Sequence, residues 1–407
     1  MKWKKVKLGE VANYRKEKIS INNITQLNYI STENMLPNKS GITIATNLPK
    51  SKTVDKYYPN DILISNIRPY FKKIWLADKI GGNSSDVMVI QTNHQKFIDK
   101  IYLYYTLSSD IFFDYVMASS KGTKMPRGDK NAILNFEIPL PPLPVQKKIA
   151  KILSSFDDKI ELNNRMNQTL EEIAQTLFKH WFIDFEFPDE NGNPYKTSGG
   201  EMKPSPLGPI PKTWEIGKLG EIINLLDSKR IPLSKKEREK REKIYPYYGA
   251  ASLMDYVDDY LFEGVHILLG EDGTVADESG YPILQYVWGK FWVNNHAHVL
   301  KGIKNISEEF IYILLKKTSI KSIITGAVQP KINQENLKNL KVILPENEDL
   351  IIKYSQIIKD IFNRYRILSE ENLILTQLRD KLLPKLMSGE IDVETTEKEI
   401  QEKMGND

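Results

Sequence analysis

Apolar residues recur at three- and four-residue spacing from Pro144 onward, at Ile149, Ile152, Leu153, Phe156, Ile160, Leu170, Ile173, Leu177 and Trp181. Shifted by 205 residues, the same rhythm returns at Tyr354, Ile357, Ile358, Ile361, Tyr365, Leu375, Leu378, Leu382 and Leu386. Such spacing, held over about five heptads, predicts a coiled-coil seam longer than a helix covering one small domain needs. Two separate surface helices, each lying on its own domain, are the alternative. The 38 residues from Pro144 to Trp181 would form a rod of ~57 Å. Asn167 and Asn372 fall at equivalent seam positions, where a buried amide costs stability but fixes register. Each helix closes its half of the chain, so an antiparallel pair is expected.

Ahead of each helix the pattern changes to short runs of Ile, Leu and Val bounded by Gly, Asn, Asp and Pro: "DILIS" at Asp61, "DVMVI" at Asp86, "HILLG" at His266 and "HVL" at His298. These suit short strands in a mixed α/β domain. The repeat extends beyond the helix. "WKKVKLGEV" at Trp3 returns as "WEIGKLGEI" at Trp214, an offset of 211, and "GTKMPR" at Gly122 returns as "GAVQPK" at Gly326, an offset of 204. Residues 41–120 and 226–320 otherwise share little. The expected fold is α+β: two tandem mixed α/β domains, each followed by a long helix, the helices packed as an antiparallel coiled coil, with an internal pseudo-two-fold repeat. Its boundaries are 1–143 for the first domain, 144–187 for its helix, 188–213 for a linker without its own core, 214–345 for the second domain, 346–390 for its helix and 391–407 for a polar tail.

A length of 407 residues suits this two-domain plan, and the lack of any cysteine excludes disulfides and thiolate metal sites. No apolar run approaches the ~18 residues of a membrane span, so a soluble, cytoplasmic chain is expected. A net charge of +4 calls for no polyanion by itself. Locally, "KRIPLSKKEREKREK" from Lys229 holds eight Lys or Arg against three Glu, which fits either a solvated face with internal ion pairs or a polyanion contact.

Signatures of catalysis are missing: there is no Gly-x-Gly-x-x-Gly after a strand and no Walker-type Gly-Lys-Ser/Thr. "NIRPY" at Asn66 is similar to the Asn-Pro-Pro-Tyr loop of amino-methyltransferases, but Ile67 and Arg68 interrupt the apposed prolines. On a strand, His296 and His298 would share a face as metal ligands do, yet no third ligand has suitable spacing; polar strand residues meeting ligand or solvent are the favoured reading. "GEDGT" at Gly270 and "FPDENG" at Phe187 read as turns. No catalytic residue and no metal site is expected.

Taken together the chain resembles the DNA-specificity subunit of type I restriction-modification systems. The resemblance rests on the two Lys-Leu-Gly-Glu openings, "LPPLPVQKKIAKILSSFDDKIELNN", "HWFIDFEFP" running into "GGEMKPSPLGPIPKTW", "DILISNIRP", "VNNHAHVLK", "GAVQPKI" and "LRDKLLPKLMSGEIDV", and spans essentially the whole chain. It implies two target-recognition domains, each reading one half of a bipartite double-stranded DNA target, with the helices as spacer ruler. It further implies that the helices dock two modification subunits, adenine methyltransferases that use S-adenosylmethionine, and that restriction/translocase subunits join them. The chain itself would be non-catalytic, with no cofactor of its own. The alternatives are a single-chain DNA-modifying enzyme and a coiled-coil scaffold that does not touch DNA.

Bases are read by directional donors and acceptors, while lysines mainly grip phosphate. The candidate DNA contacts of the first half are Arg68, Tyr70, Lys72 and Lys73 after the "DILIS" strand, and Lys124, Met125 and Arg127 in the Gly-x-x-x-Pro loop. Those of the second half are Gln329, Lys331 and Asn333, with Lys229, Arg230, Lys235 and Lys236 on phosphate. The family pattern Gln-Pro-Lys is matched by Gln329, Pro330 and Lys331; the first half departs from it at Met125, which puts a base contact there in doubt. A folding or surface role is the alternative for each of these residues.

Overall fold

The computed structural model describes residues 3–93, 96–326 and 328–394. It divides into two compact units, Met1–Asn163 with Glu370–Asp407, and Asn164–Ser369. Each unit takes half of the first long helix (Leu143–Phe178) and half of the second (Asp349–Ser388), so neither helix forms a block of its own. Residues 395–407 of the expected tail lie outside the described residues. No helix among the described residues is long and apolar enough to cross a membrane.

In the first unit a four-stranded antiparallel sheet runs in the order Ala12–Tyr14, Val87–Thr92, Ile62–Ser65, Ile74–Leu76. In the second the order is Ile223–Leu225, Ala297–Gly302, His266–Gly270, Leu284–Val287, again antiparallel throughout. The segments that share little sequence thus build the same sheet, because a buried strand asks only for apolar residues and leaves their identity open. The second sheets differ. The parallel pair is at the sheet's edge in the first unit, Gly81–Asn83 with Tyr29–Ile30, and at its centre in the other, Tyr245–Tyr248 with Lys290–Val293.

The repeated opening motif has a backbone reason. Leu8 and Leu219 are fully buried, and their N–H groups donate to Phe136 O and Leu340 O at 2.8 Å in both units. Glu10 and Glu221 accept from the N–H of Lys7 and Lys218. Between them, a Cβ on Gly9 would meet the Leu134 carbonyl at 3.3 Å, and one on Gly220 would meet the Lys338 Cβ at 2.9 Å. Trp214 is buried against Phe182 and Phe185 just past the first long helix and stacks on Phe187, with centroids 5.3 Å apart. Phe187 stacks in turn on Tyr195, and Met202–Lys203 pairs with Ile210–Pro211. The stretch expected to be a coreless linker is therefore a folded strap, held by aromatic pairs worth about 0.5–1.5 kcal/mol each beyond their buried area.

Within each unit the helix halves run antiparallel. In the first, Asp157 meets Arg379 and Asn163 meets Asn372; in the second, Asn167 meets Ser369 and the Ala174 carbonyl accepts from Tyr354. The seam is not the continuous apolar stripe that the spacing predicts. Its ends are domain core, Ile149, Ile152, Leu153 and Phe156 with Leu383 and Leu386, and Ala174, Phe178 and Trp181 with Tyr354, Ile358 and Phe362. Ile173, Ile357 and Leu378 are exposed, since the ~20° drift of a straight helix per heptad turns them out and brings Ala174 in.

Its middle is polar. The fully buried Asn163 amide donates to Asn372 Oδ1 at 2.9 Å and Glu371 Oε2 at 2.8 Å, and Asn167 donates to Ser369 Oγ at 3.0 Å. Asn163→Ala removes two such bonds and leaves a void, so the urea unfolding free energy should fall by about 1–3 kcal/mol; an unchanged midpoint would show that this amide does not bind the helices together.

Candidate nucleic-acid interface

Both units carry the same three-loop framework at one end of the matched sheet. In the first, the chain leaving Ser65 is tied by Asn66 N–H to Asp86 O at 2.8 Å, Arg68 N–H to Pro126 O at 2.8 Å and Gly128 N–H to Asn66 O at 3.2 Å. In the second, Glu271 N–H donates to His296 O at 2.9 Å, Gly273 N–H to Pro330 O at 3.0 Å and Ile332 N–H to Glu271 O at 2.9 Å. Lys121 and Arg127 exchange backbone hydrogen bonds, as do Thr325 and Lys331. The repeated glycine closes each loop: Gly122 and Gly326 have φ of +92° and +85°, and a Cβ there would lie 3.3 Å from Met125 O and 2.4 Å from Gln329 O.

On this framework the first unit presents Arg68, Tyr70, Lys124, Met125 and Arg127, all exposed. Arg68 sits at φ 49° ahead of the 3-10 turn Pro69–Phe71, and Tyr70 and Phe71 lie against each other on the surface. Arg127 pairs with Asp86 at 3.0 Å. Lys72 and Lys73 brace the protein. Lys72 bonds Asp110 at 2.9 Å beside Lys39, and Lys73 Nζ donates to Thr32 O at 2.6 Å. Burial would raise the Asp110 carboxyl, but the two lysines hold it below its ordinary value; burial also lowers the Lys73 ammonium.

The second unit differs in character. Gln329 and Lys331 are exposed on the matched loop, but Asn333 uses its side-chain oxygen to cap the helix Gln334–Lys338 through Asn336 N–H, at 2.7 Å. Arg230 is turned inward, its side chain only 10% exposed, and donates to Glu271 Oε2 at 2.7 Å and to Ala297 O. It is a structural ion-pair partner and not a phosphate contact. Lys229, Lys235, Lys236 and Lys240 are exposed, Lys235 lying 3.7 Å from Glu239, while Arg238 and Lys243 pair with Asp255 and Arg241 with Asp258. Internal ion pairing therefore accounts for most of the run's charge.

The two histidines separate. His296 precedes its strand and meets Asp272 at 2.9 Å, half exposed. His298 is fully buried, where the strand pattern favours contact with ligand or solvent: Nδ1 lies 2.6 Å from Asp227 Oδ2 and Nε2 2.9 Å from Ile332 O. Asp227, Glu271 and His298 bring ligand atoms within 4.8 Å of one another, a grouping that sequence spacing does not reveal. Arg230 already supplies the positive charge there, and Gln334 and Val299 N–H also donate to Asp227. Burial would raise the Asp227 carboxyl, but His298, Val299 N–H and Arg230 hold it below its ordinary value.

Sequence reasoning thus missed Asp86, Asp227, Glu271, Asp272 and the placing of His296. One signal was present: aligning "HILLG" on "DILIS" sets "EDGT" opposite "NIRP", the pair of loops that the framework superimposes.

Comparison with known proteins adds three findings. A family model described as the type I restriction modification DNA specificity domain matches residues 1–172 and 211–377. The MjaIX specificity subunit of Methanocaldococcus jannaschii is 29% identical over 313 residues, 72% of this chain and 69% of that protein; the HindI specificity subunit of Haemophilus influenzae is 25% identical over 96% of this chain and 99% of its own length. Both are type I restriction enzyme subunits. The crystal structure of the S subunit from the type I system of M. genitalium shares the fold, with a TM-score of 0.51 and 20% identity over 95% of this chain and 96% of that one.

Proposed function

The chain belongs to the type I restriction modification DNA specificity family and carries its domain twice, and from that premise we propose how it works: each three-loop face reads one half of a bipartite DNA target, and the long helices set the distance between the halves. The observation that carries this reading is the backbone framework common to both units, furnished with different side chains: Arg68, Met125 and Arg127 in one, Asp272, Gln329 and Lys331 in the other. A fixed loop geometry with exchanged donors and acceptors is what reading two different half-sites requires.

The chain acts without catalysis and without a cofactor of its own. The helices, whose outer faces keep Leu162, Ile173, Ile357, Ile367, Leu373 and Leu378 exposed, serve as the dock for two methyltransferase subunits that use S-adenosylmethionine, and restriction/translocase subunits complete the assembly in the cytoplasm. Mapping methylated adenines in cells with and without this chain, its methyltransferase present in both, tests the reading: two defined half-sites with a constant spacer should be present only with the chain, and identical maps would refute it. Gln329→Ala should relax one position of the second half-site by roughly 5- to 150-fold, the span of about 1–3 kcal/mol per directional base contact. If affinity and preference both stay as in the parent, this loop does not read DNA.

A further inference from the structure

We propose that Asp272 determines specificity in the second domain by accepting a hydrogen bond from the exocyclic amino group of one base, cytosine N4 or adenine N6, with His296 as the residue that positions its carboxylate. This rests on the DNA-reading role proposed above.

The framework gives Asp272 its place. It bridges to Lys331 as Ile67 bridges to Arg127 in the first domain, so the two residues stand at the same point of matched loops. Around that point the first domain offers donors, the guanidinium groups of Arg68 and Arg127, which suit guanine O6 and N7. The second keeps one donor there, Lys331, 3.6 Å from Glu271, and adds acceptors. Of its two loop acids, Glu271 is taken by Arg230 at 2.7 Å, while Asp272 meets only the His296 ring among the described residues and keeps its side chain 23% exposed.

His296 sharpens this character. Its Nδ1 lies 2.9 Å from both Asp272 oxygens, and a carboxylate only accepts, so Nδ1 carries the proton. In the neutral ring Nε2 is then a further acceptor. An acidic side chain on a surface that approaches phosphate is repelled unless a base donor meets it. Cytosine N4 and adenine N6 are such donors in the major groove, whereas guanine O6 and thymine O4 present acceptors at the corresponding edge. Asp272 therefore selects amino-bearing over keto-bearing bases.

The test uses the full chain assembled with its methyltransferase partner. Binding is measured to duplexes in which each cytosine or adenine of the second half-site is replaced in turn by 2-pyrimidinone or purine, which lack only the amino group. The parent complex should lose roughly 5- to 150-fold at one position, the analogue that causes it naming the base. Asp272→Ala, which removes the acceptor, should be indifferent to that replacement and spread methylation at that position, with the first half-site and spacer intact as a control for folding. His296→Ala should weaken the same preference without moving it. Uniform loss of affinity by Asp272→Ala across all sequences, or an unaltered preference, would overturn the proposal. A parent complex with no sequence preference would remove the DNA-reading role itself, whereas a selective parent with an equally selective variant removes only Asp272.

Discussion

Asp227→Ala should destabilise the second domain by about 3–5 kcal/mol, the cost of breaking a buried ion pair by removing one partner. The carboxylate, with its side chain 2% exposed, accepts from His298, Val299 N–H and Gln334, and Arg230 lies 3.5 Å away. Without it a buried imidazole loses its acceptor, and Arg230 keeps Glu271 as its carboxylate partner. The network also carries the loops proposed to read DNA, because His298 Nε2 meets Ile332 O and Ile332 N–H donates to Glu271 O. Hydrogen exchange should accelerate in 223–302 and not in the sheet around Ile62–Ser65, and discrimination at the second half-site should fall while the first is kept. An exchange pattern like that of the parent would show the network to be dispensable.

The pH dependence has a defined sign. The Asp227 carboxyl is lowered in the native state, so its contribution is complete above the ordinary carboxylate value of about 4 and is lost as pH falls through the lowered native value. The stability gap between parent and Asp227→Asn should therefore be full at neutral pH and close on acidification.

Deleting one heptad from the middle of the first long helix should abolish binding to the native target or change its spacer. Seven residues remove ~10 Å of helix, the rise of about three base pairs. The deletion also uncouples Asn163 from Asn372 or Asn167 from Ser369, which hold the register. A half-site out of reach forfeits several base pairs at about 1–3 kcal/mol each, so methylation at the original target should drop on the order of 100-fold or more. Sequencing of methylated sites decides the matter: an unchanged target with an unchanged spacer would end the ruler model.

Residues whose role is local were legible in the chain. The Leu-Gly-Glu openings and the Gly-x-x-x-Pro loops recur because close backbone approach and a left-handed turn each demand glycine at a fixed place. The 3-4 rhythm announced the helices for the same reason. Residues whose role is set by distant partners were not legible. Asp227 and His298 meet across 71 positions, and Arg230, which reads as one more lysine-like cation in a basic run, is turned inward by Glu271. Ile173 has the right spacing for the seam, yet Ala174 occupies it.

The sequence by itself determined that this protein carries one plan twice and two long helices, since repeats and periodicity are properties of order along the chain. Only the tertiary structure decided which charges face outward. Whether a cation meets phosphate or a buried carboxylate depends on what the fold brings within about 3 Å of it, and in the second domain that brought Arg230 to Glu271 and left Asp272 with His296 at the surface.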